Sequence, residues 1–181
     1  LRITVLIPAH NEEHSIEATL RSVLASIRSL ELENPGSAAI EILVGADGCH
    51  DSTAARARSL GVRVIESPKA LGKWKTLETL VEAAPDSDWI AWVDAGILWP
   101  ESLLNEVVRE MRDPEVIAIS PSYRNPDAGR IGDDELLRSR WSSARLSPHR
   151  RARESAANIV EDRLLLQSRS GRNSGRADRR R

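Results

Sequence analysis

The first 121 residues alternate short apolar runs with longer stretches in which apolar residues recur every three or four positions. The short runs are rich in β-branched and aromatic residues and predict five strands, within residues 3–7, 40–44, 62–65, 89–93 and 116–119. The helical spacing between them predicts four helices, within residues 16–30, 51–61, 74–84 and 100–111. Strands that alternate with helices pair in parallel and are covered by helices on both faces. The pattern therefore predicts an α/β fold.

Polar stretches follow three of these strands at the point where each strand ends. PAHNEE (residues 8–13) follows the first strand, GADGCHDST (45–53) the second, and VDAGILWP (93–100) the fourth. The carboxyl ends of parallel strands meet at one edge of the sheet, where ligands of α/β proteins bind. We therefore expect Asp47 and Asp94 to face the same crevice.

The residue types at these ends favour a nucleotide-linked ligand. A carboxylate at a strand end can accept a hydrogen bond from a base or a ribose, or hold a divalent cation beside a diphosphate. In KALGKWK (residues 69–75) a glycine-bearing loop opens a helix, and its main-chain N–H groups and Lys73 suit a phosphate. No GxGxxG or GxxxxGK[ST] motif is present, which argues against ordinary dinucleotide and P-loop binding.

Composition and charge divide the chain unevenly. A single cysteine, Cys49, excludes an internal disulfide and a multi-cysteine zinc site, and no apolar run is long enough to predict a membrane span. The net charge of −1 conceals a basic end, because residues 130–181 hold 14 arginines against 7 acidic residues. We predict three parts: a core at 1–121, a second region at 122–167, and an arginine-rich tail at 168–181.

Four segments of the core, in order, resemble family-2 glycosyltransferases. They are TVLIPAHNEEHSIEATLRSVL, EILVGADGCHDST, ALGKWKTLETLV and WIAWVDAGILWPESLL. The resemblance implies the GT-A fold, a Rossmann-like αβα sandwich with a mostly parallel central sheet. It also implies transfer of a sugar, with inversion, from a nucleotide-diphosphate sugar to an acceptor hydroxyl. It suggests a UDP-sugar as donor, with Mg²⁺ or Mn²⁺ stabilising the departing diphosphate.

The resemblance also implies roles for particular residues. Asp47 matches the aspartate that reads the base, Lys73 the lysine near the diphosphate, and Asp94 the first acid of the Asp-x-Asp motif, which contacts the ribose and the metal. Gly96 stands where that motif has its second acid, so the predicted metal site has lost one charged ligand. The whole implied nucleotide-sugar site comprises Pro8, Ala9, Asn11, Glu12, Asp47, Lys73 and Asp94.

An inverting transfer needs a general base that deprotonates the acceptor hydroxyl. Glu161-Asp162 resembles the acid pair of the family, which makes Asp162 the predicted base. The predicted catalytic residues are therefore Asp162, as base, and Asp94, as the acid of the Asp-x-Asp motif. A second pair, Asp133-Asp134, stays open as an alternative, because the spacing from Asp94 to Asp162 is shorter than is common in the family.

Two other functions stay open at this stage. Gly96 is compatible with a module that binds a nucleotide sugar without catalysis. The tail of arginine, serine and glycine cannot bury a core, so we expect it to be disordered, and it could bind nucleic acid. No aromatic residue interleaves with its arginines, so a nucleic-acid partner is not expected.

The expected partners are a nucleotide-diphosphate sugar and an unassigned saccharide, lipid or small-molecule acceptor. We expect a cytoplasmic location, with peripheral association at the membrane face left open.

Overall fold

The computed structural model describes residues 1–113, 116–120, 142–145 and 165–168. The five strands and four helices predicted for residues 1–121 are all present. In chain order the elements are β1 (Arg2–Ala9), α1 (Ile16–Glu33), β2 (Ala39–Asp47), α2 (Thr53–Ser59), β3 (Arg63–Ser67), α3 (Lys73–Glu82), β4 (Trp89–Trp92), α4 (Leu103–Glu110), β5 (Val116–Ser120), β6 (Ser142–Arg145) and β7 (Leu165–Ser168).

The strands form one sheet in the order β3-β2-β1-β4-β7-β5-β6. The four strands β3, β2, β1 and β4 pair in parallel, which confirms the predicted mostly parallel centre. The expectation that β5 continues this parallel pairing is wrong, because β7 inserts between β4 and β5 and pairs antiparallel with both. Strand β6 then pairs antiparallel with β5. Hydrophobic periodicity reports burial and not the partner of a strand, so the pattern could not show this insertion.

The core lies on both faces of β1, whose residues 3–9 are buried. Val5 and Ile7 belong to a cluster that includes the buried faces of α1 and α4. Leu6, on the opposite face, belongs to a second cluster with Leu77 and Leu80 of α3. Successive residues of a strand point to opposite faces, so this alternation places helices on both sides of the sheet. The predicted αβα sandwich is therefore confirmed.

Helix α3 packs directly against β2 at Gly45. A Cβ added to Gly45 of β2 would come within 2.5 Å of Thr76 Cγ2, a side-chain atom of α3. Only a residue without a side chain allows this approach of helix and strand. The contact places the first turn of α3 beside the carboxyl-terminal part of β2.

The proposed division at residues 121 and 167 stays a prediction. Strands β6 and β7 belong to the second predicted region, yet both join the sheet of the core. Within the ranges that the structure describes, no helix is both long and apolar enough to cross a membrane.

Replacing Leu20 with alanine should lower the free energy of unfolding by about 2–5 kcal/mol, because removal of a fully buried leucine leaves a cavity. Leu32 lies on the same helix with 76% of its surface exposed. Leu32→Ala is the matched control and should change stability by less than about 0.5 kcal/mol. Urea denaturation of both variants measures the two values, and equal losses would contradict the burial of this face of α1.

Candidate functional site

The loops that follow β1, β2 and β4 meet at one edge of the sheet. Pro8 and Ala9, the buried last residues of β1, are in register with Gly45 and Ala46 of β2. Strand β4 runs parallel to β1 on its other side. The expected convergence of the three polar stretches is therefore confirmed, and it places Asp47 and Asp94 at this edge.

The loop after β1 is hydrogen-bonded to the loop after β2. Asn11 adopts a φ of +54°, and its side-chain oxygen accepts a hydrogen bond of 2.9 Å from the N–H of His50. The N–H of Glu12 donates to Thr53 Oγ1 at 2.8 Å. These contacts hold the two predicted pocket residues, exposed Asn11 and half-buried Glu12, in fixed positions.

Asp51 links the same two loops just before α2. Its Oδ1 accepts a hydrogen bond of 3.0 Å from the N–H of Thr53, and its Oδ2 accepts one of 3.1 Å from the N–H of Glu13. Ser52 is the N-cap residue of α2 and makes no side-chain cap hydrogen bond, whereas Asp51, one residue earlier, accepts the N–H of Thr53, the first residue of the helix. Burial raises the pKa of Asp51, but hydrogen bonds from Thr53 and Glu13 outweigh it and hold the pKa below its ordinary value of 3.8.

The carboxylate of Asp47 binds the main chain of the loop before α3. Asp47 is only 5% exposed, and its Oδ1 and Oδ2 accept hydrogen bonds from the N–H groups of Leu71 at 2.7 Å and Gly72 at 2.8 Å. A Cβ on the neighbouring Gly48 would lie 2.3 Å from the nitrogen of Ala70, so the two loops are in close contact. The sequence did not indicate this contact, because main-chain donors have no residue-type signature. The predicted role of Asp47 in reading a base stays a prediction.

Lys73 and Asp94 form an ion pair at the centre of the edge. The Lys73 Nζ donates to Asp94 Oδ2 at 2.6 Å, and the two side chains are 37% and 34% exposed. Lys73 is the first residue of α3, and Asp94 follows β4. The structure therefore brings together the predicted phosphate-binding lysine and the predicted ribose- and metal-binding acid.

A tight turn explains the glycine at position 96. The N–H of Ile97 donates to the carbonyl of Asp94 at 3.1 Å, and Gly96, the third residue of this turn, has a φ of +92°. A type II turn requires a positive φ at its third residue, which favours glycine. Thr19 Oγ1 accepts the N–H of Gly96 at 2.8 Å and fixes the turn on α1. An aspartate here would be strained.

The described side chains do not fit a divalent cation held by the protein. Among the residues that the structure describes, no group of three His, Cys, Asp or Glu residues could hold a metal ion. Mg²⁺ and similar cations prefer several oxygen ligands, whereas Asp94 is a single carboxylate already paired with Lys73. The candidate bases Asp162 and Asp134 lie outside the described residues.

Several solved structures are similar to this fold. A mannosyltransferase, PcManGT from Pyrobaculum calidifontis in complex with GDP-Man and Mn²⁺, is 25% identical with a TM-score of 0.58 over 67% of this chain and 35% of that chain. Glucosyl-3-phosphoglycerate synthase from Mycobacterium tuberculosis in complex with phosphoglyceric acid is 26% identical with a TM-score of 0.50, and the match covers 69% of this chain and 44% of the synthase. The architecture is the GT-A fold of glycosyltransferases.

Sequence comparison gives the family. Residues 4–162 match the sequence profile of Glycosyl transferase family 2, and the chain belongs to that family. Glycosyltransferase AglD of Haloferax volcanii is 32% identical over 138 residues, which cover 74% of this chain and 21% of AglD. The chain thus spans about a fifth of the length of this relative and less than half of the two solved ones.

Replacing Asp51 with asparagine should destabilise the protein near neutral pH and do so less in acid. A carboxyl whose pKa falls on folding stabilises the fold above its unfolded pKa, here close to 3.8. That contribution is lost as the pH falls through the lower folded pKa. Urea denaturation at about pH 6 and pH 3 should show that the difference in free energy of unfolding between parent and variant is smaller at pH 3. The same difference in free energy of unfolding at both pH values would contradict the assigned hydrogen bonds.

Replacing Gly96 with alanine should lower the free energy of unfolding by about 1–2 kcal/mol, because a side chain at positive φ strains the backbone. A Cβ here would lie 3.9 Å from the Cβ of Ser15, so overlap adds nothing. Gly96→Asn is the matched control. Its free energy of unfolding should fall by less than that of Gly96→Ala, since asparagine tolerates positive φ. Denaturation curves measure both changes, and a Gly96→Ala protein as stable as the parent would argue against the turn.

Proposed function

We propose that the chain transfers a sugar from a nucleotide-diphosphate sugar to an acceptor hydroxyl. The observation that carries this proposal is the Lys73–Asp94 pair, which lies where the carboxyl ends of parallel strands meet. Family membership supports it, as does the GDP-Man in the structure of the mannosyltransferase. An edge that presents a lysine and an aspartate suits the diphosphate and the ribose of such a donor.

The leaving group of this reaction is a nucleoside diphosphate, whose negative charge grows as the glycosidic bond breaks. Lys73 provides a positive charge at the first turn of α3, where the partial charge of the helix is also positive. Charges that are already oriented in the free protein stabilise a transition state without reorganisation. In this proposal Lys73 binds the diphosphate and Asp94 accepts hydrogen bonds from the ribose.

The nucleoside would bind between the loops after β1 and β2. Pro8, Ala9, Asn11 and Glu12 line this side of the edge, and the resemblance favours UDP. The GDP-Man bound by the mannosyltransferase makes GDP the alternative. Asp47 can read the base only through the second lone pair of an oxygen that already accepts a main-chain N–H.

Transfer with inversion would use Asp162 as the base, with Asp134 as the alternative, and both residues lie outside the described ranges. The expected Mg²⁺ or Mn²⁺ is supported by the Mn²⁺ in the mannosyltransferase complex. The donor set around Asp94 does not fit such a cation, and no step of this mechanism depends on one.

A second candidate function, donor binding without transfer, is favoured by the same loss of a carboxylate at Gly96.

Replacing Asp94 with asparagine should lower turnover by about 100-fold, the loss typical when one preorganised polar group is removed from a reaction site. Release of UDP or GDP from a panel of UDP- and GDP-sugars, incubated with candidate acceptors, measures turnover. Asp88→Asn is the matched control. Asp88 precedes the same strand at the opposite edge of the sheet, where its carboxylate accepts the N–H of Arg2 at 2.8 Å.

The control variant should turn over donor at the rate of the parent. Equal losses in both variants would place the reaction elsewhere than at the carboxyl edge. A parent that binds UDP or GDP but releases neither nucleotide from any donor would support the binding module and reject the transferase.

A further inference from the structure

We propose that the ammonium of Lys73 occupies the place of a divalent cation, so that the donor diphosphate binds without Mg²⁺ or Mn²⁺. This inference rests on the proposed function, because it assumes that a nucleoside diphosphate binds at the carboxyl edge. It concerns the source of the positive charge that the diphosphate meets there.

The charge balance around Asp94 supports the inference. The resemblance implies an Asp-x-Asp motif with two carboxylates beside a dication, whereas here Gly96 leaves Asp94 as the single acid of the motif. Lys73 Nζ lies 2.6 Å from Asp94 Oδ2 and neutralises that remaining charge. A dication at Asp94 would stand next to an ammonium, with no second carboxylate of the motif to offset its charge.

The backbone at position 96 suits glycine better than an acid. Gly96 has a φ of +92°, and its N–H is bound by the buried Thr19 hydroxyl at 2.8 Å. An aspartate would strain this turn, which α1 fixes in place. The missing carboxylate is therefore part of how the loop folds onto α1.

Lys73 is held at the edge by its own loop. Asp47 accepts the N–H groups of Leu71 and Gly72, and the hydroxyl of Thr76 donates to the carbonyl of Gly72 at 3.1 Å. The residue before Lys73 is thus bound through both its N–H and its carbonyl. An ammonium has three donors, so Lys73 can bind a phosphate oxygen while it keeps Asp94. Asp47 acts here as a positioning residue.

Calorimetric titration of UDP and of GDP into the 181-residue chain, in EDTA and in Mn²⁺, tests the inference. For the nucleotide that binds, the Kd in EDTA should lie within about threefold of that in Mn²⁺, a small difference in binding free energy. Lys73→Met should raise the Kd in EDTA by about tenfold to a hundredfold, as expected when a hydrogen bond to a charged group is removed. Lys73→Arg keeps the charge and should recover part of this loss.

Lys75→Met is the matched control. Lys75 lies two residues further along α3 and pairs with Glu78 at the surface, so its variant should bind like the parent. Lys73→Met should also respond to Mn²⁺ more strongly than the parent, because Asp94 is then free to bind a cation. A merely structural lysine would not produce this new metal response. Circular dichroism of each variant verifies that it is folded.

Two results would overturn the inference in different ways. If the parent binds a nucleotide only with Mn²⁺, and Lys73→Met binds equally well, the cation role of Lys73 is wrong and the proposed function stands. If neither nucleotide binds with or without Mn²⁺, the proposed function is wrong and this inference falls with it.

Discussion

The carboxylate of Asp47 is the contact on which the geometry of the site depends. A buried carboxylate is costly unless donors satisfy it, and Asp47 is satisfied by the N–H groups of Leu71 and Gly72. This pair of charge-assisted hydrogen bonds ties the end of β2 to the start of α3. Lys73 follows directly in the chain, and its ammonium reaches Asp94 beyond β4. One buried aspartate therefore sets the position of the lysine that meets the second aspartate across the edge.

Much of the fold could be predicted from the sequence because its elements are regular. The β-branched run of β1 and the helical period of α1 each indicate one kind of element, and both are found where expected. The place of β5 could not be predicted, since β7 enters the sheet from far along the chain. Strand pairing over such a distance depends on tertiary contacts, and a period of two along the chain carries no information about the neighbouring strand.

The candidate site was predictable to a similar extent. Asp47 and Asp94 could be predicted to lie together because strand ends of a parallel sheet share one edge, and Lys73 was a candidate because its glycine-bearing loop opens a helix. The ion pair between Lys73 and Asp94 could not, because it depends on how closely α3 approaches the sheet at Gly45. The sequence shows that Gly96 departs from the motif, but only the backbone angle shows why. Lys73 and Asp94, which the sequence indicates as two separate groups, thus form one ion pair.

A crystal structure of the chain grown with UDP or GDP in EDTA would show directly whether Lys73 meets the diphosphate. We expect a diphosphate at the carboxyl edge, with a phosphate oxygen about 3 Å from the Lys73 Nζ and Asp94 beside the ribose. The loop of Leu71 and Gly72 should remain bound to Asp47. A diphosphate bound away from Lys73, or an ordered nucleotide that requires Mn²⁺ at Asp94, would show that Lys73 does not take the place of the cation.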